Sequence, residues 1–343
     1  MASSGVLLPR AAAKFIAEKS RDVFIEKDGV HTTSAKLLEM LKKDPETLNV
    51  SRWNLHVLNP KTANEAAVNW VFVADVLNFS FWSENESKKF MIRYSGQEWT
   101  GYWSLCAAMN RALDNGVPIT SAKFYSSISM EKLREIFKSD SETEMPMMEE
   151  RLLHLHEAGK VLNMKYNGSF ANMIKQSGKS AQKLVEMIVD DIPSFRDVAL
   201  FENKSVALYK RVQILVADTW ACCAGKGLGE FSDIDSITMF ADYRIPQALV
   251  WFGAMRYSDG LMEKLNKDCL MQNGERQEVE IRGVSIHCVD LIVDEMNRLM
   301  AKEPTLTIPM NAVLVDHFLW DYRRDHEQET KAIPFHKVRC VYY

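Results

Sequence analysis

The sequence predicts a mainly α-helical protein, one domain over residues 1–343 with a small antiparallel β insertion near 79–103. Three observations carry this expectation. From Ser104 onward apolar residues recur at helical spacing, while aromatic and β-branched runs of the strand kind are confined to one stretch. No repeat, low-complexity tract or linker rich in Gly, Ser or Pro divides the chain. With 47% hydrophobic residues in 343, there is ample material for a core.

Within residues 10–25, Phe15, Ile16, Val23 and Phe24 cluster behind the helix-favouring Ala11-Ala-Ala13 and predict one or two short helices. Thr33 and Ser34 stand where they can cap a helix over 35–43, whose Leu37, Leu38, Met40 and Leu41 form one stripe. Over 63–77, Ala66, Ala67, Trp70, Val71, Val73 and Ala74 leave few positions for water, as in a buried helix. Asp75 and Asn78 at its end then need polar partners. Phe79-Ser-Phe-Trp82, Phe90-Met-Ile-Arg-Tyr94 and Trp99-Thr-Gly-Tyr-Trp103, with Ser95-Gly96 as a turn, make up the β insertion. Helices follow over 105–113, over 130–137 behind Ser129, over 147–164 behind Pro146 and over 181–189 behind Ser180. A long apolar helix over 205–223 is stopped by Gly225-Lys-Gly227. Residues 236–243, 246–255 and 260–266 continue the helical pattern, and a last long helix over 277–301 ends at Glu303-Pro304.

Several function classes are disfavoured. A net charge of −4 argues against a large contact with duplex DNA, whose affinity comes from neutralising phosphates, but allows a small ligand with one phosphate. The six cysteines form neither a zinc knuckle nor a CxxC pair, and His154 and His156 fall on different helix faces, so neither metal nor cofactor is expected. No apolar run reaches the roughly 18 residues of a membrane span. The start Met1-Ala-Ser-Ser-Gly-Val-Leu-Leu-Pro9 lacks a charged region ahead of its apolar residues, so a cytoplasmic location is expected. Phosphate loops, dinucleotide fingerprints, His-Glu-x-x-His and Gly-x-Ser-x-Gly do not occur.

What remains is a set of carboxylates beside aromatic residues: Phe231-Ser-Asp233-Ile-Asp235, Phe240-Ala-Asp242-Tyr243-Arg244, and Val313-Leu-Val-Asp316-His-Phe-Leu-Trp320-Asp321-Tyr322. Such pairs suit a planar base, with a ring stacked on its face and a carboxylate accepting from its N–H edge. A second carboxylate can stabilise positive charge developing on a sugar. Asp316, at the end of an apolar run, reads as a helix N-cap, which the helix N–H groups would keep ionised.

Longer motifs carry a resemblance. Asn69-Trp-Val-Phe-Val-Ala-Asp75-Val-Leu-Asn78-Phe-Ser-Phe-Trp82, Gly101-Tyr-Trp-Ser-Leu-Cys-Ala-Ala108, Ser236-Ile-Thr-Met-Phe-Ala-Asp-Tyr-Arg-Ile-Pro-Gln247, Glu278-Val-Glu-Ile-Arg-Gly283 and Ile333-Pro-Phe-His-Lys-Val-Arg-Cys-Val-Tyr-Tyr343 resemble the queuosine salvage protein family. The resemblance implies a queuosine 5′-phosphate N-glycosylase that releases the base queuine, on a helical fold related to helix-hairpin-helix DNA glycosylases. Val315-Asp316-His-Phe-Leu-Trp320 is similar to the catalytic segment of that superfamily and makes Asp316 the candidate catalytic carboxylate. The hairpin itself is reduced to Glu280-Ile-Arg-Gly283. Within this resemblance Phe231 would stack on the base and Asp233 would accept from its edge, with His56 a further base-binding candidate. His317, Asp321, Lys204 and Lys210 are candidates for substrate contact, the lysines together with Arg211 as cations for the 5′-phosphate. The implied partner is a small nucleotide, with no stable nucleic-acid binding; the alternative is a nucleic-acid-binding or repair protein of the helix-hairpin-helix type.

Overall fold

The computed structural model describes residues 5–85, 87–303 and 310–343, and helices account for most of them. They are arranged around two apolar cores. The first surrounds the helix Glu65–Val76, which is capped by Asn64 and buried on nearly every side, as its composition requires. That helix packs chiefly on Lys210–Cys222. The second core surrounds the helix Arg276–Met300, against which Pro9–Lys19, Lys27–Lys43 and Ala312–Asp325 pack. Trp220 and Trp320 touch both cores and mark the seam between them.

Several expected helices are observed with shifted ends: Tyr102–Asp114, Met130–Ile136, Met148–Lys165, Ala181–Asp191 and Asp259–Asn266. Ser129 and Ser180 cap as expected, accepting from Lys132 N and Lys183 N at 3.1 Å each. Other expectations fail for local reasons. The helix foreseen over 35–43 begins at Lys27, and Ser34 lies inside it, turning its hydroxyl back to Val30 O at 2.8 Å. Residues 23–25 are not helical but form a strand, Val23–Ile25, antiparallel to Met255–Tyr257. The helix foreseen over 246–255 therefore ends at Trp251. The helix foreseen over 205–223 starts only at Lys210. Glu202-Asn203, both at positive φ, turn the chain so that Lys204–Ala207 pairs antiparallel with Val198–Phe201, and Val6–Leu7 adds a parallel third strand. Residues 237–242 form neither helix nor strand. Pro304, expected to end the long helix, lies outside the described residues, as do Met1 to Ser4.

The β insertion is smaller than expected and is not the only sheet. Met91–Tyr94 and Gln97–Thr100 form a hairpin around Ser95-Gly96. Phe79 to Trp82 joins no strand; it docks on the segment near residue 340 instead, where Ser80 N donates to Tyr343 O at 3.0 Å, Ser80 Oγ to Cys340 O at 2.8 Å and Trp82 Nε1 to Val338 O at 3.0 Å. Buried Arg151 braces this strap, donating to Leu77 O and Phe79 O with its guanidinium 4.3 Å from the centre of the Phe79 ring. Glu280-Ile-Arg-Gly283 is no hairpin. It lies inside the helix Arg276–Met300, and a Cβ on Gly283 would run into Ile16 of the neighbouring helix.

Candidate active site

A cavity of about 540 Å³ opens at the seam of the two cores. Its walls come from residues 47–56, the strap at 78–83, the start of Tyr102–Asp114, the helix Lys210–Cys222, the loop at 240–244 and the helix Ala312–Asp325.

The last of these helices does not begin as the sequence suggested. Asn311 is its N-cap, accepting from Leu314 N at 3.0 Å, so Asp316 stands more than one turn inside. There it is 3% exposed and accepts a hydrogen bond from Phe240 N at 2.9 Å. Burial, reinforced by the nearby carboxylate of Asp242, pushes its pKa up to about 8 against the pull of His317, the Phe240 N–H and Lys210. The expected ionised cap is thus replaced by a strongly basic buried carboxylate. Asp242 accepts from the N–H groups of Arg244 and Ile245 at 2.8 Å each, and burial raises its pKa despite Lys210.

Lys210 opens its helix behind Tyr209, whose φ of 50° turns the chain inward. The ammonium is buried and donates to Asn78 O at 3.2 Å and Asn78 Oδ1 at 3.0 Å. Burial lowers its pKa against the opposing pull of Asp242 and Asp75. Asn78 in turn donates to Asp75 Oδ1 at 3.0 Å, and burial, then Asp218, pushes the Asp75 pKa well above its ordinary value. The partners that Asp75 and Asn78 required are therefore each other and Lys210.

His317 follows Asp316 on the helix and points Nε2 at Asp218 Oδ1, 3.6 Å away, with its ring 5.9 Å from that of Phe240. Burial works against its protonation, yet Asp218, Asp316 and Asp321 together outweigh burial and its pKa lies above the ordinary value. Opposite is an aromatic wall. His56 stacks on Trp103 at 3.3 Å and 11°, and Trp103 meets Trp320 edge to face at 5.8 Å. Burial, then Arg324 and Lys61, lowers the His56 pKa to about 4, so the stacked imidazole is neutral. Arg324 lies over the other Trp320 face at 5.1 Å.

Of the residues singled out from sequence, Asp316, His317, Asp321, His56 and Lys210 line this one cavity. Phe231 and Asp233 do not. Phe231 is packed into the first core, and the Asp233 carboxylate is spent on the start of another helix, accepting from Ser180 Oγ at 2.7 Å, Ala181 N at 2.6 Å and Gln182 N at 3.3 Å. Lys204 is on the hairpin strand with its ammonium 4.5 Å above the Phe15 ring, and Arg211 is turned to Val76 O and Ser194 O. Neither lines the cavity. Sequence reasoning missed Asp218, Trp103 and the role of Asn78. The signal for Asp218 was a lone acid inside an otherwise apolar helix, which needs a reason to be there.

Among the described residues no group of three or more His, Cys, Asp or Glu side chains is disposed to hold a metal ion, and no helix is long and apolar enough to cross a membrane. A buried carboxylate, a wall of rings and cations at the rim define a small-molecule site suited to a planar, anionic ligand. The chain belongs to the queuosine salvage protein family, whose sequence signature matches residues 58–343. It is 53% identical over 338 residues to the queuosine 5′-phosphate N-glycosylase/hydrolase of Mus musculus, covering 98% of this chain and 99% of that protein. The protein of the same name from Nematostella vectensis is 41% identical over 99% of this chain and 100% of its own length. That from Schizosaccharomyces pombe is 38% identical over 96% and 98%.

Proposed function

We propose that the protein hydrolyses the N-glycosidic bond of queuosine 5′-phosphate and releases queuine for salvage into tRNA modification. The observation that carries this reading is Asp316, a buried carboxylate at the floor of a nucleotide-sized cavity, in a chain 53% identical to enzymes of that name. The base lies against Trp103, Trp320 and neutral His56, the sugar sits over Asp316, and the phosphate is directed to the cations around Lys210 and Arg244. Asp321, one turn beyond His317, shapes the base end.

Breaking the bond builds positive charge on the sugar. A carboxylate fixed beneath it stabilises the transition state more than the ground state, and the Phe240 N–H keeps that carboxylate aimed. Its pKa near 8 in the empty cavity also makes it a capable base for the proton of the attacking water. Lys210 is tied to Asn78, which favours direct hydrolysis over a covalent imine. The segment Val315-Asp316-His-Phe-Leu-Trp320 supports a distant kinship with helix-hairpin-helix DNA glycosylases, while a net charge of −4 disfavours the repair reading.

The test is chromatography of the products from queuosine 5′-phosphate. Wild type should yield queuine and ribose 5-phosphate, and Asp316→Asn should lose at least about 100-fold in kcat. Near-normal turnover by that variant would remove Asp316 from the chemistry.

A further inference from the structure

Queuine is a 7-deaza base, so the N7 lone pair at which a purine leaving group is usually protonated is missing. Hydrolysis at Asp316 leaves the negative charge of the departing base unanswered. The cavity holds one further pair of groups suited to that task. Asp218 reaches in from the helix Lys210–Cys222 and His317 from the helix Ala312–Asp325, and both line the cavity beside Asp316. His317 Nε2 is shut away from water with Asp218 Oδ1 3.6 Å before it, and the residue lines the cavity beside Asp316. A buried acid that orients one imidazole nitrogen while the other meets the substrate is the arrangement by which proton-transfer histidines are held.

We propose that His317, oriented by Asp218, is the acid that protonates the departing base. The inference rests on the hydrolase reading above. As the bond between the sugar carbon and the base nitrogen breaks, its electron pair goes to the base, which takes a proton from the His317 imidazolium. Water adds to the sugar carbon and gives a proton to Asp316. Passing that proton to solvent and recharging the imidazole returns the enzyme to its starting state, so that nucleotide plus water becomes base plus ribose 5-phosphate. His317 is catalytic in this scheme, and Asp218 is a positioning residue.

The groups around His317 favour this assignment. Asp218 faces it from the neighbouring helix, and Asp316 and Asp321 from its own. Asp242 and Lys210 act on it at one remove through Asp316. Three carboxylates surrounding one imidazole keep the proton on the ring until the base demands it.

The experiment compares two substrates and a pH profile in the full-length protein. His317→Gln should lose at least about 100-fold in kcat on queuosine 5′-phosphate. On 4-nitrophenyl ribofuranoside 5-phosphate, whose phenolate leaves without a proton, it should lose less than about tenfold. The alkaline limb of the wild-type kcat profile should vanish in His317→Gln, and in Asp218→Asn it should move to lower pH. An equal loss on both substrates, or an alkaline limb that survives in His317→Gln, overturns the proposal. Either result leaves the hydrolase reading standing as long as wild type releases queuine; failure of wild type to do so overturns that reading itself.

Discussion

At the scale of single residues, the unusual feature is a carboxylate whose proton affinity is set by burial. Asp316 has a folded-state pKa of about 8, against an ordinary value of 3.8. Below the ordinary value, folded and unfolded chains both carry the proton and the residue is neutral to stability. As pH rises through the window between the two values, the unfolded chain releases its proton and the folded chain does not, so wild type loses stability progressively. Asp316→Asn keeps an oxygen to accept from Phe240 N and has nothing to titrate. Its melting temperature should therefore exceed that of wild type by a margin that widens from pH 4 to pH 8 and then levels, measurable by calorimetry. A margin independent of pH would mean that the carboxylate is not buried as described. Activity and stability thus pull in opposite directions at this position, as expected where a strained charge is kept for chemistry.

At the scale of elements, most helices and the local hairpin over 91–100 were legible, and the strands paired over long distances were not. Glu65–Val76 was readable because a helix buried on all sides has to be apolar on all sides, and Ser129 and Ser180 because capping is decided within four residues. Short strands whose partners lie far away in the chain have no such local signature. Val6–Leu7 finds its partner at Ser205 and Val206, and Val23–Ile25 at Met255–Tyr257, pairings that no window of sequence contains. Gly283 marks an element-scale constraint. A Cβ at that position would come within 2.5 Å of Ile16 Cδ1 and 2.9 Å of Ile16 Cβ, too close for a side-chain rotation to relieve. Gly283→Ala gains helix propensity, about 1 kcal/mol. It should nonetheless be destabilised by about 1–3 kcal/mol through overpacking, read as a lower urea midpoint. An unchanged midpoint would show that the two helices can part at no cost.

At the scale of the molecule, the cavity belongs to neither core but to the seam between them, and this explains which site residues could be foreseen. Asp316 and His317 were legible because they share one motif with Trp320. Asp233 does not line the cavity, and its partners, Ser180 and Ala181, come from a helix some fifty residues earlier. Asp218 was passed over because its one signal, a lone acid in a largely buried helix, does not name a partner. The cavity's size also carries a prediction. About 540 Å³ is room for one nucleotide and little more. Queuosine within intact tRNA should therefore yield no queuine under conditions in which the free 5′-nucleotide is fully hydrolysed; comparable release from both would require the seam to open.

The strap at 78–83 has a bearing on how the protein reaches its working form. Its hydrogen bonds run to the segment near residue 340, as between Ser80 and Cys340, 260 positions apart. Closing a loop of that length comes late, after contacts between neighbours in sequence are made. The second core depends on contacts of the same span, since Pro9–Lys19 and Lys27–Lys43 pack on Arg276–Met300. Asn78, and with it Lys210, takes its final place only when distant stretches of chain meet. Catalytic competence in this sense rests on contacts between segments far apart in sequence, as the second core does.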